Sequence, residues 1–155
     1  MKVKKNINPL SNFPEIQKSE INFFSEEIKF VLKKKRLLRS WIEIALNKET
    51  QKTHCINYIF CSDSFLSELN VKYLNHDTLT DIITFDYSDD INLAGDIYIS
   101  IDRVKENSSK YKTSFADELN RVMIHGVLHL CGYKDKTKTA KKLMTEKEDY
   151  YLSLL

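Results

Sequence analysis

The sequence predicts an α+β fold: a small mixed β-sheet of about four strands, largely covered by helices. Two observations carry this reading. Short runs rich in β-branched and aromatic residues alternate with amphipathic helical patterns through most of the chain, and beyond about residue 101 only helical periodicity remains. The size agrees, because 155 residues that are 42% hydrophobic and 30% charged suit one compact core.

Taken in order, residues 1–20 read as a loosely ordered N-terminal arm, and residues 21–155 as a single domain. From Ile21 the run INFFSE is a short strand, followed by an extended segment IKFVL. Leu37, Leu38, Trp41, Ile42 and Ala45 recur at helical spacing, which predicts an amphipathic helix over 36–48 with its basic residues facing water. HCINYIFC (54–61) is the next strand, and Asp63 or Ser64 can cap a helix carrying Phe65, Leu66, Leu69 and Tyr73. DIITFDY (81–87) and GDIYIS (95–100) supply two more strands, with SDDINLAG between them as a loop. Ile101, Val104 and Lys105 mark a helix over 101–111. Ser114, three residues before Asp117, resembles a capping box that opens a helix to about Cys131, and Thr139 opens the last one.

Several classes are excluded. No apolar run approaches the roughly 18 residues of a membrane span, so no membrane partner is expected. The basic opening MKVKKNINPL lacks the apolar stretch of a signal peptide, and three cysteines are no disulfide framework; a cytoplasmic protein is expected. Cys55 and Cys61 share one strand, too far apart to bridge, and read as core thiols. A net charge of +2 announces no nucleic-acid binder by itself. The basic residues do cluster, at Lys33, Lys34, Lys35, Arg36 and Arg39 and again at Lys134, Lys136, Lys138, Lys141 and Lys142, as solvated faces whose meaning depends on what lies beside them.

The chemistry lies in RVMIHGVLHLCGYKD. His125 and His129 are four apart, so on a helix both imidazoles leave the same face about one turn apart. Alone, such a pair is as readily a surface coincidence or a buried hydrogen-bonded couple. Gly132 permits a left-handed turn, however, and the returning chain can bring Asp135 to the same point. Two imidazoles and a carboxylate at zinc-like spacing, three protein donors in all, describe an open catalytic position where a water could be bound and acidified. Cys131 is a competing donor that reads as packed inward. A zincin protease carries Glu directly after its first His, where this chain has Gly126, so a metal-dependent hydrolase of peptides is disfavoured. Gly126 and Val127 read instead as a small-residue floor for something bulky and polarised, such as a phosphodiester.

These residues resemble a known family. HGVLHLCGYKD is similar to the HGxLHLxGYDH signature of the YbeY endoribonucleases, and the likeness runs through LNVKYLNHDTLTDIITF, AGDIYIS and LMTEKED, covering the chain from about residue 21. The resemblance implies a zinc-dependent endoribonuclease specific for single strands, with one ion held by His125, His129 and Asp135. It further implies a role in maturation of small-subunit ribosomal RNA and in ribosome quality control. Ribosomal RNA, the small subunit, a ribosomal protein and an assembly GTPase are the partners it implies. Asp135 stands where the signature has its third His, Lys134 replaces the preceding Asp, and Leu74 stands where the family has an Arg; His76 or Lys72 could substitute or be plain surface residues. Lys134 and Lys136 are expected to hold the RNA backbone, a contact that weakens steeply with salt. Asp81 and Asp96 match the TD and GD of the family and read as loop or strand-end hydrogen-bonding groups, Met144 as lid packing and Glu148 as helix surface. An alternative is a ribosome-assembly binding factor whose zinc is structural or weakly catalytic. The missing Arg favours it, and the three-donor count opposes it, because structural zinc sites close with four protein ligands.

Overall fold

The computed structural model describes residues 19–155. Its elements run β1 (Glu20–Ser25), α1 (Lys35–Glu49), β2 (Thr53–Cys61), α2 (Asp63–Leu74), β3 (Ile82–Asp86), β4 (Asn92–Ser100), α3 (Ile101–Tyr111), α4 (Phe115–Leu130) and α5 (Lys138–Leu152). The sheet order is β1-β2-β4-β3, with β1, β2 and β4 mutually parallel and β3 antiparallel to β4. This is the mixed four-stranded sheet and helical cover that the sequence predicts. Parallel neighbours need crossovers, and α1 makes the first while α2 lies within the second.

Strand alternation decides what each face of the sheet holds. Ile56, Tyr58 and Phe60 of β2 and Leu93, Ile97 and Ile99 of β4 point to one face, where they meet Trp41, Ile42 and Leu46 of α1 and Val122, Met123 and Val127 of α4 in the main core. On the other face a small cluster forms from Cys61, Ile83 and Leu66 of α2. Among the described residues no helix is long and apolar enough to cross a membrane.

The helices begin where a hydroxyl can accept from the backbone. Ser62, Ser100, Ser114 and Thr137 accept from the N–H groups of Phe65, Arg103, Asp117 and Ala140. Ser114 is the predicted cap. For α2 and α5 the cap sits one and two residues earlier than expected, because the capping residue must itself be extended, as Ser62 is at φ −78° and ψ 163°, while Asp63 already occupies the first helical turn. There Asp63 favours the positive end of the helix dipole.

Other expectations need correction. IKFVL, read as a poorly defined extended segment, is an irregular connection in which Leu32 is buried and Val31 is exposed. Leu37 is exposed too, since the core takes Leu38, Trp41, Ile42, Ala45 and Leu46 from α1. Much of SDDINLAG is strand: Asp89 accepts from the N–H groups of Ile91 and Asn92, and this turn sends the chain into β4 from Asn92 onward. The two strand cysteines differ. Cys61 is buried, which pushes its thiol up to about 12, but Cys55 is exposed on the polar part of the second sheet face. The arm lies outside the described residues except Ser19 and Glu20, and Glu20 already pairs with Cys55 in β1.

Gly126 serves the fold rather than the substrate floor expected of it. A Cβ there would meet Ile97 Cγ2 at 2.8 Å and Ile82 Cδ1 at 3.0 Å, so the missing side chain lets α4 lie directly on β3 and β4. Position 126 is about 100° around the helix from His125, which turns it toward the sheet when His125 faces out. Gly95 makes the matching allowance from β4, where a Cβ would lie 2.7 Å from Leu130 Cδ2.

Gly126→Ala is expected to destabilise the protein by roughly 1 kcal/mol net, because overpacking costs about 1–3 kcal/mol and improved helix propensity returns about 1. Chemical denaturation measures it; an unchanged or increased stability would show that α4 does not depend on that contact. A second expectation concerns His54, which is 5% exposed and has both ring nitrogens unpartnered among the described residues. Burial holds its pKa below the ordinary value, so the folded state takes up this proton less readily than the unfolded chain. Its contribution is therefore intact above the unfolded pKa of about 6.5 and is lost below it, at no more than about 1.4 kcal/mol per pH unit. Unfolding curves of wild type and His54→Leu should diverge in the acid direction, wild type losing more.

Candidate metal centre

α4 presents His125 and His129 on one strip, one turn apart, while Ile124, Gly126, Val127 and Leu128 are buried around them. The helix stops by a Schellman pattern: Gly132 N–H donates to His129 O at 3.0 Å and Tyr133 N–H to Leu128 O at 3.0 Å. Gly132 has φ 100°, a conformation that a side chain would strain. This reversal carries the chain back to Asp135. Its Oδ2 lies 3.4 Å from His125 Nε2 and 3.3 Å from His129 Nε2, and the two rings stand nearly perpendicular at 84°.

Each imidazole is held from behind. His125 Nδ1 lies 2.6 Å from Glu148 Oε1, and His129 Nδ1 lies 3.0 Å from the carbonyl oxygen of Tyr133. A carboxylate and a carbonyl only accept, so both Nδ1 atoms carry the hydrogen and both Nε2 lone pairs face Asp135. Two nitrogens and one carboxylate oxygen, within 4.8 Å of one another, could hold a metal ion. The donor set fits a zinc-like dication, and the bonds at Nδ1 are those that orient metal-ligating histidines.

The surroundings divide the two rings. Burial works against charging His125, yet its bond to Glu148 and the charges of Glu148, Asp135 and Asp81 hold its pKa above the ordinary value. His129 is kept below its ordinary value by burial and by the neighbouring His125. Glu148, at 7% exposure, is the residue the sequence reading misplaced on the helix surface. Its other oxygen accepts from Arg121 at 2.9 Å, and Arg121 also pairs with Asp149 at 2.7 Å. A signal was present: Met144, Glu148 and Tyr151 follow helical spacing and form the buried stripe of α5, so Glu148 had to face inward. Met144, read as lid packing, lies in the main core.

The remaining candidates fall as follows. Cys131 packs against the main core, and burial pushes its thiol up to about 12. Asp96 accepts from Asn57 Nδ2 at 2.9 Å, a strand hydrogen bond. Asp81 accepts from Asn107 Nδ2 at 3.3 Å, and burial raises its carboxyl pKa within reach of the charge on His125. Leu74 packs against the small cluster of Cys61, Leu66 and Ile83. His76 is exposed, and Lys72 lies 5.2 Å over the ring of Tyr73. Lys134 and Lys136 are exposed on either side of Asp135.

Comparison with known proteins places this geometry among relatives. The profile of a family described as Endoribonuclease YbeY matches residues 20–155. A protein named Endoribonuclease YbeY from Christiangramia forsetii is 49% identical over 139 residues, 90% of this chain and 96% of that one. Its namesake from Flavobacterium psychrophilum is 51% identical over 131 residues, covering 84% of this chain and 94% of its own. The solution structure of a Thermotoga maritima protein matches with a TM-score of 0.62 at 31% identity, over 86% of this chain and 87% of that one.

Glu148→Gln removes the charge behind His125 and sets an amide against Arg121. Zinc affinity measured by competition with a chromogenic chelator is expected to fall at least about tenfold. Wild-type affinity in a folded variant would remove Glu148 from any part in the centre.

Proposed function

The chain belongs to the YbeY endoribonuclease family, and from that membership we propose that it uses one zinc ion to cut single-stranded RNA during maturation of small-subunit ribosomal RNA and in ribosome quality control. The family's metal-dependent cleavage of RNA phosphodiester bonds gives the reaction class. The observation that supports the use of a metal is the convergence of His125 Nε2, His129 Nε2 and Asp135 Oδ2 on one point. Residues 21–155 act as one enzyme unit in this reading, in the cytoplasm. Single-stranded ribosomal RNA is the substrate, and the small subunit, a ribosomal protein and an assembly GTPase are the further partners.

His125, His129 and Asp135 would hold the ion, with Glu148 and the Tyr133 carbonyl keeping the proton of each ring on Nδ1. Zinc supplies Lewis acidity toward the phosphodiester when bound. The exposed ammonium groups of Lys134 and Lys136, flanking Asp135, meet backbone phosphates and hold the strand over the two rings. The apolar residues of α4 beneath the two rings lower the local dielectric on the inner side of the centre, which strengthens the bonds that hold His125 and His129.

Leu74 favours the second reading, a ribosome-assembly factor with a structural or weakly catalytic zinc. It packs into an apolar cluster where the family pattern places an Arg, so α2 offers no phosphate clamp there. Metal analysis of the purified protein, followed by incubation with an unstructured RNA, separates the two. We expect about one zinc per chain, cleavage by wild type, and loss of cleavage by at least about a hundredfold in His125→Ala and His129→Ala. Cleavage that survives both substitutions would sink the catalytic assignment. A bound metal with no cleavage under any condition would favour the assembly factor.

A further inference from the structure

Glu49 ends α1, far in sequence from the histidines, yet its carboxylate is only 9% exposed and receives three donors. Tyr133 OH donates to Oε2 at 2.7 Å, Lys147 Nζ to Oε1 at 2.8 Å, and Tyr151 OH to the same Oε1. A carboxylate in the last turn of a helix opposes the helix dipole, so α1 alone gives no reason for an acid here. The donors do. Burial works against the charge on Glu49, but the bonds from Lys147, Tyr151 and Tyr133 outweigh it and keep the carboxyl below its usual range.

What matters is where the Tyr133 bond leads. Tyr133 is fixed at three points: its N–H donates to Leu128 O, Lys147 lies 5.3 Å over its ring, and its hydroxyl ends on Glu49. The carbonyl of that same residue accepts from His129 Nδ1, and the chain then runs two residues on to Asp135. We infer that Glu49 is a positioning residue for the metal centre, acting through Tyr133 to aim His129 and to set the turn that delivers Asp135. This rests on the metal reading given above and extends it to a helix that contributes no ligand. The mirror of Glu49 is Glu148, which holds His125 directly. Each imidazole is thus aimed by an acid, the buried Glu148 through a side-chain bond and the half-buried Glu49 through a tyrosine and its carbonyl.

The test is metal binding by the full chain, stripped with chelator and titrated with cobalt(II), whose visible bands report both affinity and ligand geometry. Wild type should take up one ion. Tyr133→Phe, which removes a single hydroxyl, and Glu49→Ala should each weaken binding about tenfold and alter the cobalt bands. The double variant should be no weaker than the poorer single one, because both break one connection. Tyr151→Phe removes another donor to Glu49 but leaves the Tyr133 bond, and should bind cobalt as wild type does even if the stripped protein melts earlier. If Tyr133→Phe folds and binds with wild-type affinity and spectrum, Glu49 merely ties α1 to α5 and the inference is overturned. Equal weakening in Tyr151→Phe would overturn it as well, by showing a general loss of stability. Absence of cobalt uptake by wild type would overturn the metal reading itself.

Discussion

A helix packed on nearly every side can offer solvent only a narrow strip, and between Glu118 and Leu130 of α4 only Asn120, Arg121, His125 and His129 stay partly open, the last three at intervals of four. The remaining circumference is spent on the sheet, α1, α3 and α5. This constraint settles the character of the site. The two imidazoles project from a backbone that cannot slide, because Gly126 seats α4 against Ile97 and Ile82 while Leu130 fills the space left by Gly95. Fixed ligand atoms are what tight metal binding requires, since ordering flexible side chains would otherwise oppose it. The features that make α4 the centre of the core therefore also make it a platform for chemistry.

How much of this is legible in the sequence depends on chain separation. His125, His129, Gly132 and Asp135 lie within one helix end and its turn, and helix geometry alone brings them together. The strands and most helices follow from local alternation and periodicity. Glu148 and Glu49 meet their partners 23 and 84 residues away, so no local rule pairs them, although the stripe of Met144, Glu148 and Tyr151 does mark one as inward. Gly126 shows a different failure. Its place on the helix is predictable, but whether that side faces substrate or sheet is decided by β3 and β4, which lie elsewhere in the sequence. Cys55 is similar: alternation puts it opposite Ile56, and only the helix positions reveal that its face is partly uncovered.

The polar groups around the centre divide into two chains of hydrogen bonds. One runs from Asp149 through Arg121 and Glu148 to His125; the other runs from Lys147 through Glu49 and Tyr133 to His129. α5 contributes to both, which explains why a helix bearing no ligand carries so many buried or half-buried polar groups. Their satisfaction is mutual. Leaving Glu148 or Glu49 without donors would cost more than the pairs contribute, so each acid is tolerated only because its donors are held in place.

The charges around the His125, His129 and Asp135 cluster come from a few neighbouring residues. With Asp135 beside the two imidazoles, the cluster would offer an ion one negative charge, and a bound dication would show the substrate a single net positive charge. Leu74, at the end of α2, packs into an apolar cluster and brings no positive charge. Both features limit attraction for an RNA backbone. The two lysines flanking Asp135 act in the opposite direction, and because they sit on the same turn as the carboxylate their charge arrives at the same place. Positive charge at the mouth of the site therefore comes from flexible ammonium groups, which meet a phosphate as point charges rather than through a rigid fork.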